Sequence, residues 1–230
     1  MAQTYAIKVI AHIVNDYDTK FGVPRQSGLV NSSVASIVFE PEYRVPEALR
    51  GIEEYSHLWL IWQFSEAVRD TWSPTVRPPR LGGNKRMGVF ATRSPYRPNP
   101  IALSSVRLDR VEHTDEGDVL IVRGADLLDG TPIYDIKPYL AYTDSHPDAI
   151  GGFADPVKEY GLNVVFCKEL LSKIQISKQK PLLKILEHDP RPSYQDDPER
   201  EYGMLFSDYE IFFKVEGDTL TVTNVKETKE

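Results

Sequence analysis

The sequence predicts a mainly β protein with a smaller α+β unit at its C-terminal end. Three observations carry this. The first 145 residues hold many short alternating apolar runs separated by Pro and Gly turns. No helices of 10–15 residues recur between those runs, which argues against a doubly wound α/β sheet. After about residue 145 the pattern changes to one strand, a helical stretch and two further strands. Short strands punctuated by turns are the pattern of a barrel or a sandwich.

Element by element, Tyr5–Ile13 alternates with Tyr5, Ile7, Val9, Ala11 and Ile13 on one face, a first strand. Val34–Phe39 is a second. Pro46–Tyr55 reads as a short helix with proline in its first turn. His57–Phe64 is a continuous apolar run, expected as a central strand. Met87–Thr92 follows a Gly-Gly turn, and Ile101–Val111 pairs with Val119–Arg123 across an acidic turn. Ile133–Pro138 is a further strand. SHPDAIGGFADP marks a boundary, giving units 1–148 and 149–230. In the second unit Tyr160–Cys167 reads as a strand with Cys167 buried, and Lys168–His188 as a helix broken near Pro181. Asp208–Val215 and Thr219–Val225 close the chain.

Composition narrows the function. The chain has 230 residues, 41% hydrophobic and 10% aromatic, enough for a core and too apolar for disorder. One cysteine excludes a disulfide framework and a cysteine-rich zinc site. The longest apolar run falls far short of the roughly 20 residues that span a bilayer, and no signal peptide is visible. A cytoplasmic protein without membrane or metal is expected. The five histidines (12, 57, 113, 146 and 188) show no H-E-x-x-H spacing. A P-loop, a G-x-G-x-x-G turn and a G-x-S-x-G elbow are also missing.

The net charge of −7 would argue against a nucleic-acid partner, but it is unevenly spread. The 38 residues between Asp70 and Asp109 contain no acid and seven cations: Arg77, Arg80, Lys85, Arg86, Arg93, Arg97 and Arg107. The other 192 residues then carry −14. Such a stretch suits phosphate, although a solvated basic face would carry the same charges.

Three segments stand out within and beside it. Arg77–Arg86 (RPPRLGGNKR) sets cations on a loop stiffened by proline, a form that clamps phosphate at low entropic cost. Thr92–Pro100 (TRSPYRPNP) presents Arg93 and Arg97 for bidentate anion binding, Tyr96 for base stacking and Asn99 as an amide able to read an adenine-like edge. Asp126–Pro132 (DLLDGTP) is a turn whose carboxylates could take hydroxyls or an amine of a nucleoside-type cofactor; an ordinary hairpin turn reads the same way.

Taken together with FGVPRQSGL (Phe21–Leu29), GIEEYSHLWLIWQF, DLLDGTPIYDIKPYLAYTDS and DPRPSY (Asp189–Tyr194), these segments resemble the TsaA/TrmO family over essentially the whole chain. The resemblance implies a single-sheeted β-barrel that binds S-adenosylmethionine without a Rossmann domain, followed by a small α+β domain, and a homodimer. It implies methylation of N6 of N6-threonylcarbamoyladenosine at position 37 of threonine tRNA. It assigns cofactor contacts to Pro24, Arg25 and Gln26, to Arg93, to Leu103 and to the turn Asp126, Leu127, Leu128 and Asp129. A further contact falls at the end of the apolar strand, where many members have Phe-His and this chain has Phe64, Ser65 and Glu66. The tRNA would engage Arg77, Arg80, Lys85, Arg86, Tyr96, Arg97 and Asn99, with Arg97 or Arg191 facing the threonyl carboxylate. No residue stands out as the general base; Asp135, Tyr139 and Tyr194 are candidates. The competing class is a non-catalytic RNA-binding β-barrel, which leaves the acidic turn unexplained.

Overall fold

In the computed structural model, residues 3–69, 71–78, 81, 85–157, 161–191 and 197–228 are described. The N-terminal unit is built on six strands: β1 (Ala11–Val14), β2 (Val34–Phe39), β3 (His57–Gln63), β6 (Ile101–Thr114), β7 (Gly117–Arg123) and β8 (Pro132–Pro138). They hydrogen-bond in the order β1–β2–β7–β6–β3–β8, and β8 returns to β1. That last seam has two residue pairs, Ala11–Ile133 and His12–Pro132, against seven between β6 and β7.

The six strands close into a barrel, and the single-sheeted unit expected from sequence is corrected in having a second, two-stranded sheet beside that wall. The wall is a six-stranded sheet meeting itself along a short seam. A separate two-stranded ribbon stands apart from it: β4 (Thr75–Val76) with β5 (Met87–Gly88).

Alternation decides which side chains face the core. In β3, Leu58, Leu60 and Trp62 point inward, with Leu58 and Leu60 fully buried. The strand nonetheless reads as continuously apolar because its outer face is partly covered: Tyr139 packs on Trp59 at 5.3 Å between ring centroids. In β6 the inward positions are Ser104, Val106 and Leu108. The first strand is shorter than expected. Only Ala11 and Ile13 of the alternating set are buried, while Tyr5 and Ile7 stay exposed, since the chain before Ile10 has no ladder to join. Pro46–Tyr55 forms two 3-10 turns rather than one helix. They are separated at Gly51, whose φ of 85° ends the first.

The C-terminal unit comprises β9 (Asn163–Val165), α2 (Lys168–Leu171), α3 (Ile176–Glu187), β10 (Tyr202–Phe206), β11 (Tyr209–Glu216) and β12 (Thr219–Glu227), after a short helix α1 (Ala141–Asp144). Its sheet runs β10–β11–β12–β9. Sequence reading missed β10, although Tyr202, Met204 and Phe206 alternate inward. The helical stretch breaks at residues 172–175, not at Pro181, which is buried inside α3. Gln179 closes the break by donating its Nε2 to the carbonyls of Leu171 (3.1 Å) and Ile174 (2.9 Å). Cys167 is exposed rather than buried, because β9 ends at Val165 and Cys167 precedes α2 as its cap.

Two buried residues from the segment between β1 and β2, Tyr17 and Val30, belong to the C-terminal core. The N-terminal core of Leu58, Leu60, Leu120, Ile133 and their neighbours is separate. Lys178 of α3 pairs with Asp16, and Ser207 N–H donates to the Asp16 carbonyl at 3.0 Å. The segment 15–33 is thus the strap between the two cores, and it carries Pro24, Arg25 and Gln26.

Candidate cofactor site and substrate face

The turn after β7 is fixed by one asparagine that sequence reasoning did not single out. Asn15 donates its backbone N–H to Asp129 Oδ1 (2.9 Å) and its Nδ2 to the Leu127 carbonyl (2.9 Å). Its Oδ1 accepts from Tyr17 N–H (2.8 Å). Asp129 N–H and Gly130 N–H reach back to the carbonyls of Tyr17 and Ile13. Leu127 is buried beneath, and Gly130 takes a φ of 69° that suits glycine.

Asp126 sits at the head of this turn in a polar chain that starts in the core. Trp62 Nε1 donates to Ser104 Oγ (2.9 Å), and Ser104 Oγ donates to Asp126 Oδ1 (2.6 Å). Burial pushes the Asp126 carboxyl above the usual carboxylate range. The Ser104 hydroxyl, the backbone N–H groups of Asp126 and Ser27, and the charge of Arg93 pull the other way. A serine at an inward position of β6 was the available sequence signal for this chain.

The strap closes over the same place. Gly28 N–H donates to the Gly124 carbonyl (2.8 Å). A Cβ at Gly124 would come within 2.8 Å of Asn31 Oδ1, so this close approach requires glycine. Pro24 is buried. Gln26 Oε1 accepts from Arg93 Nη1, which joins the strap to the loop before β6. Lys20 Nζ pairs with Glu66 Oε2 (3.1 Å) in the 3-10 turn Ser65–Ala67 that follows β3. Gln26, Arg93, Asp126 and the 127–129 turn are therefore brought together, with Glu66, next to Ser65, tied to the strap by Lys20. Arg25 does something different. Its Nη2 donates to the carbonyls of Asp189 (3.0 Å) and Arg191 (2.9 Å) in the C-terminal unit.

Leu103 is 55% exposed. It lies one residue from Ser104 and so on the opposite, outer face of the sheet. The register aligns Leu103, Ile61 and Asp135 in one row across β6, β3 and β8. Asp135 is ion-paired with Lys137 (2.7 Å) and accepts from Ile136 N–H. Tyr139 packs between Trp59 and His57. The structure does not join Asp135 or Tyr139 to the Asp126 chain, and Tyr194 lies outside the described residues.

The cationic stretch divides in two. Arg77, Lys85 and Arg86 are exposed around the β4–β5 ribbon, with Arg86 Nη1 donating to Thr75 Oγ1 (3.0 Å). Arg80 lies outside the described residues. Arg97 is half-buried and donates to the carbonyls of Thr92 (3.0 Å) and Ser94 (3.3 Å), so it shapes its own loop. Tyr96 carries the Arg69 guanidinium over its ring at 3.9 Å, and Asn99 is exposed. Arg191 is one of the two cations expected to face the threonyl carboxylate. Its side chain is 7% exposed and paired with Asp189. Among the described residues no group of three His, Cys, Asp or Glu could hold a metal. No described helix is long and apolar enough to cross a membrane.

Comparison with known proteins decides the family. The tRNA-methyltransferase O N-terminal domain matches residues 12–145, and the TrmO C-terminal domain matches residues 159–228. The chain belongs to the tRNA-methyltransferase O family. It is 40% identical over 220 residues to the tRNA (adenine(37)-N6)-methyltransferase of Escherichia coli, covering 92% of this chain and 94% of that protein. It is 47% identical over 163 residues to the enzyme of the same name from Eikenella corrodens, covering 70% and 92%. The crystal structure of TrmO from Pseudomonas aeruginosa superposes with a TM-score of 0.79 at 32% identity, over 99% of each chain.

Proposed function

We propose that this chain methylates N6 of adenine 37 in tRNA with S-adenosylmethionine as donor, and that its substrate base is N6-threonylcarbamoyladenosine of threonine tRNA. The observation that carries the reading is similarity across both domains to the E. coli tRNA (adenine(37)-N6)-methyltransferase. The protein is an S-adenosylmethionine-dependent tRNA methyltransferase of the tRNA-methyltransferase O family.

The donor set fits the cofactor chemically. S-adenosylmethionine carries an amine, a carboxylate, ribose hydroxyls and an adenine amine. Arg93 supplies a guanidinium for a carboxylate. Asp126 and Asp129 supply acceptors for N–H or O–H groups, and Gln26 an amide with both capacities. Pro24, Leu103, Leu127 and Leu128 supply apolar surface or backbone, and Ser65 and Glu66 the edge beyond β3. When bound, S-adenosylmethionine supplies an electrophilic methyl on a sulfonium.

The protein's own work is orientation and proton handling. S-adenosylmethionine held by Gln26, Arg93, Asp126 and Asp129 would supply the methyl to N6 and leave as the neutral thioether, and N6 would lose its proton. Holding nitrogen, carbon and sulfur in line converts an encounter into a positioned step. The N6 proton passes to Asp135, Tyr139 or Tyr194, or to water they orient. Arg77, Arg80, Lys85 and Arg86 hold tRNA phosphates. Tyr96, with Arg69 on one face, offers the other to a splayed anticodon-loop base, and Asn99 offers an amide beside it. The apolar side chains Trp72, Phe90 and Ile101, between 40% and 73% exposed, supply a surface for a second copy, and the homodimer is the working unit in the cytoplasm.

The test is transfer of a labelled methyl group to tRNA. Label enters tRNA from cells that lack this methyltransferase, and entry collapses with tRNA from such cells that also lack threonylcarbamoylation. Equal labelling of both tRNAs would contradict the assigned base. The absence of any S-adenosylmethionine binding in titration calorimetry would favour a non-catalytic RNA-binding module.

A further inference from the structure

We infer that Arg191 is a positioning residue for the cofactor loop, acting through Arg25 from the C-terminal domain rather than by touching tRNA. The inference rests on the reading of Pro24–Gln26 as part of the cofactor site.

The device begins where α3 ends. Asp189 takes a left-handed backbone with φ of 51°, uncommon for a residue other than glycine. Its carboxylate then folds over the next two residues. Oδ1 accepts from Arg191 Nε (2.9 Å) and Arg191 N–H (3.2 Å), and Oδ2 accepts from Arg191 Nη2 (3.0 Å). Both side chains are under a tenth exposed. A bidentate guanidinium–carboxylate pair fixes direction as well as charge. Here it sets the backbone so that the carbonyls of Asp189 and Arg191 converge on one atom, Arg25 Nη2, at 3.0 and 2.9 Å.

Arg25 is flanked by the two residues that matter at the cofactor site. Pro24 is buried with a fixed φ, and Gln26 accepts from Arg93. Gln26 Nε2 also donates to the Arg25 carbonyl. Asp189, Arg25 and Gln26 thus form a continuous chain of contacts from Arg191 to Arg93. A carbonyl pair holds a guanidinium by direction, so the contact positions the loop without neutralising Arg25. Arg191 itself has its planar fork turned inward.

Titration calorimetry with S-adenosylmethionine and filter binding of threonine tRNA over a salt series test this on the full chain. Arg25→Ala and Arg191→Gln are each expected to raise the cofactor Kd about tenfold. The double variant should be no worse than the poorer single, since coupled residues are not additive. The slope of tRNA affinity against salt should stay as in wild type. An unchanged cofactor Kd with a slope reduced by about one would make Arg191 a phosphate ligand and overturn the inference. Additive effects would also overturn it. If Arg191→Gln fails to fold, Arg25→Ala and Arg25→Lys carry the test, with partial recovery expected for lysine; an Arg25→Ala protein that binds cofactor normally sinks the proposal. Failure of the underlying site reading looks different: Arg93→Ala would then leave cofactor binding unchanged as well.

Discussion

Replacement of Ser104 by alanine should cost far more than one surface hydroxyl. Ser104 is 2% exposed and sits between two groups that depend on it, Trp62 Nε1 at 2.9 Å and Asp126 Oδ1 at 2.6 Å. Ser104→Ala leaves the indole N–H buried without an acceptor, a loss of about 1–3 kcal/mol. It also removes a hydrogen bond to a carboxylate, worth about 1.5–3 kcal/mol. Allowing some relief by water at the Asp126 end, the expected loss is about 3 kcal/mol. For a chain of this size that lowers Tm by roughly 6–12 °C, at about 2–4 °C per kcal/mol. Thermal scans with urea titration measure it, and titration with S-adenosylmethionine should show weaker binding in the same protein. A Tm within about 2 °C of wild type, with unaltered cofactor affinity, would refute the claim that the core orients Asp126 through Trp62 and Ser104.

Asp126→Asn tests the charge at the same point. Burial raises the Asp126 pKa above its ordinary 3.8, so the folded protein binds that proton more tightly than the unfolded chain. Its contribution to stability is full below the ordinary carboxylate value and is lost as pH rises through the raised one. Asparagine does not titrate, so stability of the variant relative to wild type should grow as pH rises above about 4; a difference independent of pH contradicts this. Asn15→Ala removes side-chain bonds to the Leu127 carbonyl and Tyr17 N–H, and urea unfolding should show a loss of about 1–3 kcal/mol together with weaker cofactor binding. Stability lost without any change in cofactor affinity would separate Asn15 from the site. Arg93→Ala should raise the cofactor Kd about tenfold, roughly 1.4 kcal/mol, and calorimetry that finds no change removes Arg93 from the site.

Local chemistry was legible in the sequence, and long-range partnership was not. Local pattern located Val34–Phe39, the strand within the continuous apolar run His57–Phe64, and the β6–β7 hairpin with its acidic turn, because each signal lies within its own residues. The runs RPPRLGGNKR and TRSPYRPNP were visible as basic loops for the same reason. Asn15 was not visible, since its partners at residues 127 and 129 lie more than a hundred positions away. The Asp189 carboxylate folded against Arg191 was not visible either, because a sequence shows a charge and not its partner. Pro181 read as a helix breaker because propensity alone ignores the burial that holds α3. The ribbon β4–β5 and the two-pair seam between β1 and β8 depend on how the sheet meets itself, which no local pattern encodes.

The central claim is that this chain places a methyl group on N6 of a threonylcarbamoylated adenine 37. The most direct measurement is mass spectrometry of nucleosides from threonine tRNA incubated with the protein and isotopically labelled S-adenosylmethionine. Threonylcarbamoyladenosine should be converted to a species one labelled methyl heavier, with the label on the base nitrogen. Recovery of unmodified threonylcarbamoyladenosine alone, or label found on another nucleoside, would contradict it.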